Sequence, residues 1–244
     1  MFADANGELR GTITQASLQQ VLDHYTAGDW RAERALITGD LIQDDSAAAY
    51  DRFRDLLLPL NMRMHCVPGN HDIRDLMRPV CSRPPFSYCA SEEVGNWLLL
   101  GLDSCVRGEA GGEVSTEELE RFDSIVAASR AKHILVALHH PPIPMGSAWL
   151  DTVKLKNGED VLHRLQQSGR VRLLVFGHVH QAHDSEHNGI RILGTPSTCR
   201  QFKPRSDEFA VDTQPPAYRR IELSPDGSIE EELIWVEPST QEPE

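Results

Sequence analysis

The sequence lacks the cysteine pairs that mark disulfide frameworks and thiolate metal sites. Its five cysteines are scattered and odd in number, and no two of them form a C-x-x-C pair. We interpret them as reduced, mostly buried thiols, which favours a reducing cytoplasm as the compartment.

Long apolar runs and an excess of basic residues are also missing. No stretch approaches the roughly 20 apolar residues of a membrane span, and the N-terminal residues do not resemble a secretory leader. Acidic residues outnumber basic ones, 37 against 24, giving a formal charge of −13. This charge repels nucleic acid and anionic membranes, so we expect neither as a partner. A phosphate substrate would then need a local positive centre such as a bound metal. A homodimer stays open.

The 244 residues contain short apolar runs that alternate with amphipathic segments over the first two thirds of the chain. We predict strands at 35–38, 62–67, 97–102, 134–138, 171–176 and 190–193, with helices between most of them. Such alternation predicts an α/β fold with a largely parallel sheet. A closing hairpin is predicted around Pro225-Asp226-Gly227. No linker divides the chain, so we predict a single domain over 1–236 and a disordered tail over 237–244.

Polar clusters follow four of the predicted strands directly. In open α/β sheets, ligands bind beyond the carboxyl ends of the strands. Each cluster alone has an ordinary explanation, such as a turn or a solvated histidine pair. Together they predict a metal site. The clusters are Gly39-Asp40, Gly69-Asn70-His71-Asp72, His139-His140 and Gly177-His178-Val179-His180.

The side chains of these clusters combine carboxylate, amide oxygen and imidazole without a thiolate. This set suits Mn, Fe or Zn. Asp40 is a carboxylate able to bridge two ions, which favours a two-metal centre with ions roughly 3.5–4 Å apart. Such a centre clamps a phosphoryl group and lowers the pKa of a water molecule. His140 is interpreted as a packed or supporting residue rather than a ligand.

At these residues the sequence resembles the calcineurin-like metallophosphoesterase superfamily, whose most specific motifs here are Gly69–Asp72 (GNHD) and Gly177–His180 (GHVH). Within it, the closer resemblance is to bacterial class III 3′,5′-cyclic-AMP phosphodiesterases. The matching segments are 2–11, 38–46, 66–72, 138–142, 177–181, 195–204 and 209–213. The resemblance implies a four-layer α/β/β/α sandwich of two mixed sheets. It also implies hydrolysis of cyclic AMP to 5′-AMP by a dinuclear centre of Fe and/or Mn.

The resemblance also implies roles for individual residues. Asp40 would bridge both metals, and His180 would bind the first metal. The second metal would be held by Asn70, His139 and His178 in addition to Asp40. Asn70 and His71 would contact the substrate, with His71 as the general acid for the leaving oxygen.

One family motif is not found in this sequence. The D-x-H pair of the first strand would precede the segment 2–11, so the first metal keeps only Asp40 and His180, and we expect the first strand to be lacking. A catalytically impaired binding protein is therefore one alternative, and a phosphodiesterase of broader specificity, which does not depend on the missing motif, is another. Phosphoprotein substrates are disfavoured, because Gly39-Asp40 is not followed by the D-R-G of protein phosphatases.

Two further groups of residues have both a functional and an ordinary interpretation. His183 and His187 resemble a metal cluster, but we expect an exposed loop there. Trp149 and Phe202 could stack on a nucleobase, although packing within the protein explains such residues more often.

Overall fold

The computed structural model describes residues 1–237, so all but the first residue of the predicted disordered tail lies outside the described residues. The helices are α1 (Thr14–Ala27), α2 (Ala47–Leu57), α3 (Arg74–Cys81), α4 (Thr116–Ala128), α5 (Ala148–Asp151) and α6 (Gly158–Gln167), with a 3-10 turn at Leu58–Leu60. The strands are β1 (Glu8–Leu9), β2 (Thr12–Ile13), β3 (Arg34–Ile37), β4 (Arg63–Cys66), β5 (Phe86–Tyr88), β6 (Ser91–Val94), β7 (Trp97–Gly101), β8 (His133–Leu138), β9 (Val171–Phe176), β10 (His183–His187), β11 (Ile190–Gly194), β12 (Ala217–Leu223) and β13 (Ile229–Trp235).

The largest sheet has six strands in the order β10-β11-β9-β8-β7-β6. Its four inner strands are mutually parallel, and the two edge strands are antiparallel to their neighbours. The inner strands are almost wholly apolar because both faces of the sheet are covered. The sheet is therefore mixed, as the sequence predicts.

The remaining strands form smaller sheets. Strands β3, β4 and β5 make a parallel sheet of three strands, in which β3 pairs with β4 alone within the described residues. The predicted closing hairpin is confirmed: β12 and β13 pair antiparallel from Ala217↔Trp235 to Leu223↔Ile229. Strands β1 and β2 form a short antiparallel pair before α1.

Alternate residues of the strands pack into three separate cores. On β8, Ile134 and Val136 contact a core that includes residues of α4 and α6, whereas Leu135 and Ala137 face the other way. The second face packs against residues of β3, β12 and β13 in a core between the sheets. A third core joins α1, α2 and α3 to β3, β4 and β5. The resulting order of helices, sheet, sheet and helices confirms the predicted α/β sandwich.

Five short strands were not predicted from the sequence: β1, β2, β5, β6 and β10. Strands β6 and β10 are largely polar and β5 has only three residues, so none of them shows a clear apolar periodicity. The prediction of an exposed loop at His183 and His187 is wrong, because both residues lie in the edge strand β10. That strand is held by its backbone pairing with β11 and by a salt bridge from Arg191 to Asp184 at 2.7 Å. Across residues 1–237, no helix has the length and apolar character that crossing a bilayer demands.

Candidate metal centre

The residues predicted to bind metal lie just beyond the carboxyl ends of strands from both main sheets. Asp40 follows β3 and Asn70 follows β4, whereas His139 follows β8 and His178 follows β9. Parallel strands end at a common edge, and the two stacked sheets bring their edges together. Residues as distant in sequence as Asn70 and His178 therefore meet.

Three side-chain atoms of this group lie within hydrogen-bonding distance of one another. Asn70 Oδ1 is 3.2 Å from His139 Nε2 and 3.0 Å from His178 Nδ1, and the two imidazole nitrogens are 3.1 Å apart. Asp40 Oδ1 lies 3.4 Å from His139 Nε2. Ligand atoms about 2.1 Å from one ion are spaced by roughly 3 Å, so this arrangement matches a metal's inner coordination shell.

The hydrogen bonds around these atoms also favour a cation. His139 Nδ1 donates to the carbonyl oxygen of Thr38 at 2.6 Å, which leaves Nε2 to face the site. Asn70 Oδ1 is an acceptor, and a neutral His139 or His178 would add further lone pairs. A single proton satisfies one of these contacts, whereas a metal ion satisfies all of them. The residues present therefore fit a divalent metal.

The charges of the buried side chains in this site also favour a cation. Burial lowers the pKa of His139, but the Asp40 carboxylate outweighs it and raises that pKa above its usual value. Burial would raise the pKa of Asp40, yet the positive charge of His139 holds it well below its usual range. For His178, burial and then His139 lower the pKa. The site thus favours one positive charge beside Asp40 and a neutral His178.

The backbone around Asp40 adopts a left-handed conformation. Gly39 has φ +97° and Asp40 has φ +58°. A Cβ on Gly39 would come within 2.5 Å of His139 Nδ1, so only glycine fits there. This tight turn aims the Asp40 carboxylate at His139 and lets Asp40 Oδ1 accept a hydrogen bond from the backbone N–H of His71 at 3.1 Å.

Asp72 orders the site, a role that the sequence did not reveal although the residue ends the GNHD motif. Its carboxylate accepts from the backbone N–H of Gly69 at 2.8 Å and of Leu41 at 3.1 Å, and from the Tyr50 hydroxyl at 3.0 Å. Burial raises the pKa of Asp72 to about 6, with the nearby Asp40 adding to the effect. Asp72 therefore ties the Asp40 turn to the Asn70 turn.

His140 lies close to the predicted ligands but has both ring nitrogens engaged. The ligand atoms of His139, His140 and His178 lie within 4.8 Å of one another. However, His140 Nε2 is 3.2 Å from the carbonyl oxygen of Ala110, and the Ser104 hydroxyl lies 2.9 Å from Nδ1. Burial lowers the pKa of His140 to about 3, so it is neutral. These contacts suit a supporting residue.

His180 and His71 lie at the border of the site. His180 Nδ1 donates to the carbonyl oxygen of Arg200 at 2.7 Å, which leaves Nε2 as the free lone pair. Burial lowers the pKa of His180 to about 4, against the opposing effect of Asp40. His71 is exposed, and within residues 1–237 its imidazole makes no hydrogen bond to the protein. It is therefore accessible to a substrate.

Comparison with known proteins places this fold and site in a defined family. The family model described as "Calcineurin-like phosphoesterase" matches residues 14–182. The chain belongs to the calcineurin-like phosphoesterase family. The metallophosphoesterase fold implies divalent metal ions, in agreement with the donor atoms described above.

Curated relatives match nearly the whole chain. A Haemophilus influenzae protein named 3′,5′-cyclic adenosine monophosphate phosphodiesterase CpdA is 38% identical over 96% of this chain and 85% of its own length. The protein of that name from Vibrio vulnificus is 40% identical over 94% of this chain and 84% of its own. A Nostoc protein named 3′,5′-cyclic-nucleotide phosphodiesterase is 31% identical over 93% of this chain and 86% of its own length.

Among solved structures, a dimetal phosphatase from Danio rerio superposes with a TM-score of 0.63. It is 18% identical and covers 92% of this chain and 90% of its own. At this identity the likeness shows the shared fold alone.

Proposed function

We propose that this protein hydrolyses 3′,5′-cyclic AMP to 5′-AMP in a metal-dependent reaction. The observation that carries the proposal is the convergence of Asn70 Oδ1, His139 Nε2 and His178 Nδ1 at 3.0–3.2 Å from one another, beside Asp40. The choice of cyclic AMP is supported by relatives of that activity at 38% and 40% identity.

Asp40, Asn70, His139 and His178 would hold one metal ion, and Asp40 with His180 would contribute to a second. Fe and Mn are the ions we propose, as the family resemblance implies, and the oxygen and imidazole ligands are compatible with both ions. When bound, such ions polarise phosphoryl oxygens and lower the pKa of water. The turn built on Gly39 and Asp72 holds Asp40 and Asn70 in place, so little reorganisation is needed on binding.

His71 would bind the phosphate and protonate the leaving 3′ oxygen. Its backbone N–H is fixed to Asp40, so the residue is anchored while its imidazole stays exposed. An imidazole can donate a proton from a ring nitrogen, which is what a general acid requires. Ring opening requires one such proton, because the leaving group is an alkoxide.

A second candidate is a phosphodiesterase that accepts several cyclic nucleotides. The Nostoc relative is named for cyclic nucleotides in general. Comparing kcat/KM for cyclic AMP, cyclic GMP and a glycerophosphodiester separates the two candidates.

We further propose a cytoplasmic location and a small-molecule substrate rather than a nucleic-acid or membrane partner. The scattered, unpaired cysteines support the location, and the formal charge of −13 disfavours nucleic acid and anionic membranes because it repels polyanions. A homodimer stays an open expectation, to be tested by the mass of the purified protein in solution.

The test is hydrolysis of cyclic AMP by the full chain supplied with Mn²⁺ or Fe²⁺, followed as 5′-AMP by chromatography. The Asn70→Ala/His139→Ala double variant should lose at least about a hundredfold in kcat/KM, since it removes two proposed ligands. The control is Gln19→Ala, at an exposed position on α1. Retained activity in the double variant would contradict the metal assignment.

A further inference from the structure

Three aromatic side chains form a cluster beside His180. The ring centroids of Trp149, Phe202 and Phe209 are 5.1–5.4 Å apart in edge-to-face arrangements. Phe202 stacks on the His180 imidazole, with centroids 4.2 Å apart and planes inclined by 12°. This aromatic cluster therefore begins directly at a residue of the proposed metal centre.

The cluster is held in place by a closed loop, 202–211. At its base, the backbone N–H of Phe202 donates to the carbonyl oxygen of His180 at 3.0 Å. Across the loop, the N–H of Lys203 donates to the carbonyl oxygen of Ala210 at 2.8 Å. The N–H of Ser206 donates to the Ser147 hydroxyl at 3.3 Å, which links the loop to the segment carrying Trp149. The loop is thus fixed relative to His180.

Phe209 is the outer member of the cluster and is 39% exposed. Within residues 1–237, the large hydrophobic side chains that are exposed are Leu58, Phe209 and Val211, and two of these lie at the end of loop 202–211. The guanidinium of Arg10 lies 4.1 Å from the centre of the Phe209 ring. The Phe209 side chain is therefore packed on one side by Trp149 and Phe202 and still partly accessible to a ligand.

We propose that Phe209 and Arg10 bind the nucleobase of a nucleotide whose phosphate lies at the metal centre. This rests on the proposed function and adds which residues recognise the base. Aromatic rings and guanidinium planes are the surfaces on which nucleobases stack in proteins. A base is uncharged, so the net negative charge of the protein does not oppose its binding. Phe202 extends the aromatic surface from His180 to Phe209.

The experiment compares 5′-AMP with ribose 5-phosphate, which has the same phosphate and sugar but no base. Binding of each to the full chain with Mn²⁺ is measured by calorimetry. Wild-type protein should bind 5′-AMP more tightly. Phe209→Ala should weaken 5′-AMP binding about tenfold, the loss of one stacking contact, and leave ribose 5-phosphate unchanged. Arg10→Lys keeps the charge but not the planar group, so it should also weaken the binding of 5′-AMP and leave the binding of ribose 5-phosphate unchanged.

Two controls isolate the role of stacking. Leu58→Ala removes an apolar side chain of similar exposure, 37%, and should leave the affinity for both ligands unchanged. Phe209→Leu keeps apolar bulk without a ring and should behave like Phe209→Ala. Thermal unfolding of every variant identifies loss of fold.

The inference is overturned if wild-type protein does not bind 5′-AMP, if it binds the two ligands equally, or if Phe209→Ala weakens both alike. Failure of the proposed function looks different. Base-dependent binding without hydrolysis of cyclic AMP would contradict the proposed function alone. If the protein hydrolyses cyclic AMP but binds 5′-AMP and ribose 5-phosphate with equal affinity, only this inference is contradicted.

Discussion

Gly69 lies closer to Asp40 than any residue with a side chain allows. A Cβ at this position would be 2.1 Å from Asp40 Oδ1 and 2.3 Å from the Asp40 backbone nitrogen. The Asp40 turn and the Asn70 turn can therefore touch only because one of them has a glycine there. The contact brings together candidate ligands that follow two different strands, β3 and β4.

Gly69→Ala should consequently damage both stability and metal binding. We expect the free energy of unfolding to fall by about 1–3 kcal/mol, as for other overpacked sites. Chemical denaturation and the metal content of the purified protein measure the two effects. Gly111→Ala is the matched control, since a Cβ there meets its nearest atom at an ordinary 3.5 Å. Full metal content in Gly69→Ala would contradict the proposed role of the Asp40 turn.

At the scale of elements, a cluster of charged side chains around Glu92 joins the two main sheets. Glu92 lies on β6, whereas its partners lie on β3 and β4. The Arg34 guanidinium donates to the Glu92 carboxylate twice, at 3.0 and 3.2 Å, and Arg63 donates to it at 2.6 Å. His65 Nε2 is 2.9 Å from the same carboxylate. Burial lowers the pKa of His65, so the arginines supply most of the positive charge.

Replacing Glu92 by Gln should lower the free energy of unfolding by about 2 kcal/mol at neutral pH, because charged hydrogen bonds are lost. The hydrogen bond from Arg34, more than any other contact, holds the pKa of Glu92 below its usual value of 4.5. A carboxyl group whose pKa is lowered in the folded protein stabilises the fold at pH values above its pKa in the unfolded chain. That stabilisation is lost as the pH falls through the pKa of the folded state. The difference between the proteins should thus shrink below pH 4.5.

Chemical denaturation at several pH values measures this difference. Glu33→Gln is the matched control: Glu33 also pairs with Arg34, but its side chain is 81% exposed. An exposed pair contributes little, so this variant should resemble the wild type. An equal loss of unfolding free energy in both variants would contradict a larger contribution from the Glu92 cluster than from an exposed ion pair.

For the whole molecule, the candidate metal site would add a further connection between the two main sheets, besides the Glu92 cluster and the core between them. Its candidate ligands follow β3 and β4 in one sheet and β8 and β9 in the other. An ion that binds only the folded chain stabilises it by mass action. Because the ligands come from both sheets, the stabilisation applies to global unfolding.

Mn²⁺ at about a hundredfold excess over its Kd should therefore raise Tm by roughly 5–10 °C, and EDTA should reverse the rise. Differential scanning fluorimetry measures the shift without any need for turnover. In His139→Ala the metal-dependent shift should vanish, whereas His24→Ala, at an exposed histidine on α1, should retain it. A full shift in His139→Ala would place the bound metal elsewhere.

Some features could be predicted from the sequence because they depend on local chemistry. Apolar runs of four to six residues predicted β3, β4, β8 and β9. Asp40, Asn70, His139 and His178 followed from their place at strand ends. Edge strands such as β10 could not be predicted, since backbone pairing rather than apolar side chains stabilises them. The ligand roles themselves stay predictions.

The sequence by itself determined the family, the alternation of strands and helices, and the types of donor atom available for a metal. Only the tertiary structure decided that Asn70 and His178 lie 3.0 Å apart, that Asp72 joins two turns and that Phe202 stacks on His180. The physical reason is distance along the chain. Contacts across a hundred residues depend on how two sheets pack, and no local pattern of side chains encodes that packing.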